Sequence, residues 1–426
     1  MEKSVYAELL DKYFPKFKPI TERINENAKR PPLLFETMLR KELSVDLKWE
    51  SNAINSNLVA ADVVAMDSDI PLKSRPTIEH AHGDIPKIAM KFKMSEKATS
   101  DIDVLRARGV DETTVVSKLL KDAINCTEGI KERIEYMFLK GLSDGVTVVP
   151  NADNVGVGVR LDFLYKDENK FGAEVKWGDT GYTPLSDIQR VISEAARRED
   201  YVTKVVMSRE TYNLLRKSDE GKQLVATLNG AVVATQNLLT PSPSRFNEAF
   251  KDETGAEIVV VDRSVKIEKN GQFKSTTPFN GNKVVFITSD VVGTLFYGTL
   301  AEDNHRVEGV NYTKPNDYTL ISVYHETSPF AEFTAGQALV VPVIENAQSI
   351  YVLDITDAQA KAAGETEGDT TITIWNTELT KATVISALAT LGVTVDAGIS
   401  DADLINVINK LSTAKEKALK TALNVA

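Results

Sequence analysis

The stretch from Asp111 to Asp144, "DETTVVSKLLKDAINCTEGIKERIEYMFLKGLSD", constrains the fold more than any other. Apolar residues recur at Val115, Val116, Leu119, Leu120, Ala123, Ile124, Ile130, Ile134, Met137 and Phe138, in steps of three and four. That stripe runs along one face of an α-helix and needs a core to cover it. Asp111 is placed to cap the first turn, and Gly141 or Gly145 to stop the last. At 1.5 Å per residue the helix would be on the order of 45 Å long, well beyond the usual ~11 residues of a globular helix. It reads as a structural spine.

Strand patterns follow the spine. "VTVVP", "VGVGVRLDFLYK" and "FGAEVKW" fall within residues 146–178. "TPLSDIQRVISEAARRED" is a helix, with Thr183 as N-cap and Pro184 at its first position. Leu185, Ile188, Val191, Ile192 and Ala195 form its apolar face. "YVTKVVMS" is a strand, and "RETYNLLRKS" and "SRFNEAFKDETG" are short helices. "EIVVVDRSVKIEKNGQFKSTTPF" reads as a strand pair around Asn270-Gly271, a favoured hairpin turn. "NKVVFITSD" and "VVGTLFYG" are strand-like, so residues 179–300 make a mixed α/β block. Residues 317–355 are strand-rich again. Strands separated in sequence from a long helix indicate an α+β fold.

Two segments cannot be stable alone. Residues 1–60 read as an arm: an amphipathic helix at Ser4–Tyr13, a break at Pro31-Pro32, and few apolar residues. Residues 61–100 read as an extended hairpin with a polar middle. Its last part alternates Lys87, Lys91 and Lys93 with Ile88, Met90, Phe92 and Met94, one face cationic and the other apolar. A hairpin standing alone in water is marginal, so this one calls for a partner surface. The apolar face is expected to root it on its own or a neighbouring subunit. Asp67, Asp69, Lys73, Arg75 and the lysine row are expected to make salt-sensitive contacts between copies.

After Thr356 the chain becomes small, polar and acidic through residue 370, as a linker does. Residues 371–426 read as a small helical module, with Thr380 capping one helix through Leu391 and Ser400, with Asp403, capping another. Leu404, Ile405, Val407, Ile408 and Leu411 form the apolar face of the second.

Catalytic signals are sparse. The phosphate-loop pattern is absent, as are a Gly-rich dinucleotide turn, GxSxG, HExxH and paired CxxC. The single cysteine, Cys126, allows no intrachain disulfide and falls inside the spine pattern as a buried thiol. His80, His82 and Asp84 alternate on one extended segment, a spacing that could ligate a metal; a solvated loop is the weightier reading. No cofactor is expected. The net charge of −11 argues against a sequence-independent nucleic-acid binder, which carries a basic footprint. No run of about 18 apolar residues marks a transmembrane helix.

This order of elements resembles the major capsid proteins of tailed bacteriophages, the Hong Kong 97 fold, of the lambda-type capsid protein E kind. "DSDIPLKSRP" and "GDIPKIAMKFKMSEK" look like the extended-loop region of such proteins. "NKVVFITSD…GTLFYG" and "SPFAEFTAGQALVVPVI" look like their late segments. The resemblance implies an N-terminal arm (1–60), an extended loop (61–100), a peripheral domain (101–178 and 301–355) around the spine, and an axial domain (179–300). The linker (356–370) and C-terminal module (371–426) depart from the minimal pattern. It further implies a structural protein, not an enzyme, assembling as hexamers and pentamers into an icosahedral shell around double-stranded DNA in the host cytoplasm. Separate scaffolding and portal proteins, and decoration proteins, would be its partners, without a membrane. A cargo-holding nanocompartment of the same fold is the alternative, and a soluble enzyme with an unrecognised site is the third reading.

Overall fold

The computed structural model describes residues 32–54, 78–108, 112–149, 159–228, 238–269, 271–328, 330–358, 371–374 and 377–380. It also describes isolated positions between Val384 and Lys420. Two compact units divide the chain, residues 1–357 and 358–426.

The first unit opens with α1 (Leu34–Met38), β1 (Leu39–Leu43), β2 (Lys48–Ile54), β3 (Ile78–Asp84) and β4 (Lys87–Ser95). Then come α2 (Glu96–Ala107), the spine helix α3 (Glu112–Asp144), β5 (Val146–Val149), β6 (Val159–Asp162) and β7 (Lys170–Ala173). A helical stretch follows: α4 (Pro184–Arg197), β8 (Lys204–Ser208), α5 (Arg209–Lys217), α6 (Asp219–Leu228) and α7 (Pro243–Thr254). The unit continues through β9 (Glu257–Val261), β10 (Val265–Lys269), β11 (Gln272–Thr276), β12 (Lys283–Ile287) and β13 (Gly293–Gly298). It ends with α8 (Ala301–Asn304), β14 (Asn311–Thr313), β15 (Thr319–Thr327), β16 (Phe330–Ile344) and β17 (Ile350–Ala358).

The spine is a 33-residue helix, as its apolar stripe requires. From Ala123 onward every stripe residue named above is buried; Asp111 and the side chains of 112–120 lie outside the described residues. The helix stops where Gly145 takes φ 71°, a left-handed conformation that glycine enters without steric cost. Gly141 stays inside the last turn, and its bare Cα faces Phe163 and the Thr147 hydroxyl. That hydroxyl donates to the Met137 carbonyl at 2.6 Å.

Across the spine lies a six-stranded sheet, β1-β13-β16-β15-β14, with β4 also paired to β16. The 15-residue β16 organises it. One edge pairs β15 from Thr327↔Phe330 to Thr319↔Ala338. The other pairs β4 from Ser95↔Ala331 to Lys87↔Leu339, and then β13 from Leu339 to Ile344. Gly336 in β16 lets the sheet reach the helix, because a Cβ there would stand 2.6 Å from the Cys126 Cβ.

The second sheet, β7-β17-β12-β8-β9, is covered on both faces. Val284, Phe286, Val205, Met207, Tyr351 and Leu353 join the cluster beneath α4, α5 and α7. Val285, Ile287, Val206, Ile350 and Val352 join the cluster around the spine. Burial on two faces is why "KVVFI" and "KVVMS" read as unbroken apolar runs rather than alternations.

The expected boundaries shift accordingly. The block 179–300 gains β7 and β17 for its sheet and gives up β13, which pairs with β1 and β16. Strand partners so far apart leave no register signal in a uniformly apolar run. The expected arm, 1–60, is in part body: Phe35 is 1% exposed, and β1 runs parallel to β13. The helix expected at Ser4–Tyr13 lies outside the described residues. Four helices, α1, α2, α6 and α8, are not foreshadowed by the sequence pattern.

Caps also differ. Thr183 makes no side-chain cap. Glu220 of α6 serves instead, accepting from the Leu185 amide at 2.7 Å and the Ser186 amide at 3.2 Å. In the second unit Thr380 ends a strand hairpin, Thr371–Ile374 with Thr377–Thr380, rather than capping a helix. Val384 and Leu388 are helical and buried, and further on so are Leu404 and Ile408, two of the residues expected on the second helix's apolar face. Ser400 and Asp403 lie outside the described residues.

Gly336→Val should lower stability by about 1–3 kcal/mol, the cost of overpacking a tight contact. Urea denaturation followed by circular dichroism would read it as a lower midpoint, and an unchanged midpoint would refute the close approach.

Candidate intersubunit face

The hairpin is made by β2 and β3, paired from Lys48↔Asp84 to Ile54↔Ile78. This corrects the expectation that it spans 61–100 with β4 as its returning arm. Trp49 (4% exposed) roots it, its indole covering Gly83, where a Cβ would come 2.8 Å from Nε1. Ile85, also buried, closes the base, its amide donating to the Leu47 carbonyl at 2.9 Å. Asp67, Asp69, Lys73 and Arg75 lie outside the described residues.

The alternation on β4 is present, exposed at Lys87, Lys91 and Lys93 and half-buried at Ile88, Met90, Phe92 and Met94. The apolar face serves β4 and not the hairpin. Met90 lies against the spine at Gly129, where a Cβ would collide with its sulfur. Ile88 packs on the spine cluster.

The lysines stand on the outer face of the sheet, and that face is aromatic. Lys93 lies opposite Phe333, and Phe333 opposite Tyr324. The two rings stack, centroids 5.4 Å apart and planes at 23°. Lys91 Nζ sits 4.5 Å from the Phe333 centroid and donates to the Tyr324 hydroxyl at 3.3 Å. Lys93 Nζ is 5.9 Å from the same Phe333 centroid. Each cation–π contact is worth about 0.5–1 kcal/mol at an exposed site. On β4 itself the one aromatic, Phe92, falls on the opposite face from these lysines; the rings come from distant strands, Tyr324 lying 233 residues beyond Lys91. The only local hint is alternation in "SVYHET" and "FAEFT".

Beside this platform an open groove of about 660 Å³ is lined by Lys91, Tyr324, Tyr312, Val307, Gln337 and Glu302. Gln337 Nε2 donates to Glu302 Oε1 at 3.0 Å, which fixes the groove's acidic end.

This face can bind but lacks reactive groups. Among the described residues no three His, Cys, Asp or Glu side chains cluster as metal ligands. His82 is exposed on β3 and pairs with Glu50 in register. Cys126 is fully buried, and that burial, with Asp122 nearby, pushes its thiol up to about 12. No described helix is long and apolar enough to cross a membrane.

The sequence model of the family described as phage major capsid protein E matches residues 16–351. The chain belongs to that family. It is a structural major capsid protein, a component of the virion capsid that self-assembles into a shell, and not an enzyme. No curated protein matches its sequence. Similar solved structures include the putative capsid protein of a prophage of E. coli CFT073, 14% identical, TM-score 0.48, covering 76% of this chain and 93% of that one. A phage-related protein from Bordetella bronchiseptica RB50 is 11% identical, TM-score 0.45, covering 80% and 97%. A chain of the bacteriophage PhiM1 mature capsid is 10% identical, TM-score 0.40, covering 76% and 87%.

A thiol reagent at pH 8 should leave Cys126 untouched in the native chain and modify it fully in denaturant. Mass spectrometry would decide, and rapid native labelling would contradict its burial.

Proposed function

We propose that this capsid protein forms hexamers and pentamers that tile an icosahedral shell around double-stranded DNA, with the β2–β3 hairpin of each copy lying on the outer sheet face of the next. The observation that carries this reading is the hairpin itself. Its strands pair only with each other among the described residues, and a two-stranded hairpin is marginal in water without a covering surface. Asp67 and Asp69, beyond its paired strands, supply acid. Lys87, Lys91 and Lys93 supply base on the face that the hairpin would meet, and Lys73 and Arg75 add cations to its far part. Such contacts steer and register copies more than they add affinity.

Assembly would take place in the bacterial cytoplasm, with a separate scaffolding protein, a portal and, outside, decoration proteins. The enclosed DNA would be contacted only weakly and without sequence preference, since a chain of net charge −11 lacks the basic footprint of a dedicated DNA binder. The arm, residues 1–31, would clasp a further neighbour.

Electron microscopy of the purified protein tests the reading directly. Wild-type protein should give shells, or rings and tubes of the same lattice. Lys91→Glu with Lys93→Glu should leave mainly unassembled protein, and adding Asp67→Lys with Asp69→Lys should restore particles. Normal shells from the lysine variant alone would place the contact elsewhere. Phe92→Asp should impair assembly more than Lys91→Ala, because Phe92 is half-buried on the apolar face of β4 whereas Lys91 is exposed. Near-native assembly of both would refute that ordering. Deleting residues 365–426, within the second unit, should leave shell formation intact; a folded but unassembled truncation would contradict this.

A further inference from the structure

In the C-terminal third of the spine, Glu135 is a carboxylate 1% exposed to solvent. Oε1 accepts the Leu34 amide and Oε2 the Phe35 amide, each at 3.0 Å. These are the first amides of α1, whose own N-cap residue, Leu33, offers no side-chain cap. A residue 100 positions away therefore caps the helix. Leu33, Phe35 and Met38 are buried around it. Immediately upstream the chain leaves toward residues 1–31, and immediately downstream it enters β1 at the sheet edge. Residues 33–38 thus join the N-terminal segment to the body, and Glu135 holds that junction.

The charges around Glu135 have their own partners. On its own helix, Glu132 receives both Nε and Nη2 of Arg263, at 3.3 and 2.6 Å. Arg263 comes from the connection between β9 and β10 and turns its guanidinium toward Glu132. One turn before Glu135, Lys131 pairs with Glu36 of α1 at 2.9 Å. The two amides offset part of the lost hydration of an ionised Glu135, and the rest of that cost stays. A proton removes it. The hydroxyl oxygen of the neutral acid keeps a lone pair, so both amides can still donate.

We propose that Glu135 is a proton-responsive anchor, holding the root of the N-terminal segment on the spine more tightly when neutral than when ionised. Burial raises the Glu135 carboxyl above its ordinary range, against the smaller lowering effects of the Phe35 and Leu34 amides and Arg263. The docked state therefore binds the proton more strongly than a lifted state with a hydrated carboxyl. Docking is then favoured as pH falls through the raised value toward the ordinary one.

Hydrogen exchange of the 33–38 segment, corrected for intrinsic rates, tests this in the full chain between about pH 7.5 and about pH 5, above the ordinary glutamate range. Protection should rise as pH falls, by up to about tenfold per pH unit, the limit for one coupled proton. In Glu135→Gln, an isostere that cannot ionise, the rise should vanish. Peptides from β8 and β12 should not change with pH or substitution and so report that the variant folds. Wild-type protection that stays flat or falls as pH is lowered, or the same rise in the Gln variant, overturns the anchor.

Discussion

The closeness of the spine helix to strand β16 governs the rest of this structure. Gly336 on the strand makes it possible by facing Cys126, and next to it Gly129 on the helix makes room for Met90 of the adjacent strand β4. Side chains interlock at this seam, and the Cys126 sulfur lies 3.7 Å from the Thr334 carbonyl, a weak donor contact. Once β16 is seated, both its edges are taken, by β15 on one side and by β4 and β13 end to end on the other. The sheet's apolar face covers the helix, and its second face is left for another purpose.

The two sheets are joined by a similar sharing. β12 contributes Val285 and Ile287 to the spine cluster and Val284 and Phe286 to the helical one. A strand with period two can serve two cores at once only when both faces are covered. The α/β block is therefore not an appendage of the spine layer. β17 follows β16 through a short connection and carries the chain from one sheet into the other.

What could be read in the sequence follows from what is local. The spine was legible because a 3.6-residue period sustained over about nine turns fits a helix and little else. The alternation of β4 was legible for the same reason with period two. Partner choice was not. The chain offers many apolar strands, and nothing in "GTLFYG" or "SIYVLDI" names its neighbour. The hairpin was misplaced because its anchor is one tryptophan, Trp49, which lies in a charged stretch and packs on the distant Gly83. Glu220 and Glu135 were invisible as caps because each acts across many residues, in place of the adjacent Thr183 or Leu33. The lysine row was recognised, but its aromatic half, Tyr324 and Phe333, came from strands that only the folded sheet brings alongside.

That aromatic half changes the physics of the exposed face. A lysine on a bare strand samples many rotamers, and fixing it on a partner costs about 0.5–1.5 kcal/mol for each such side chain. Lys91 is already laid over the Phe333 ring and bonded to the Tyr324 hydroxyl. Its stem covers apolar surface while its ammonium stays wet. Part of the ordering cost is therefore met by the fold, and an acidic segment arriving at this face finds its cation in place. The weak charge pairs of an exposed surface gain most from such pre-placement, since their net worth is only about 0–1 kcal/mol each. Across the many equivalent contacts of a shell, small gains of this kind add up while each single contact stays weak enough to be remade.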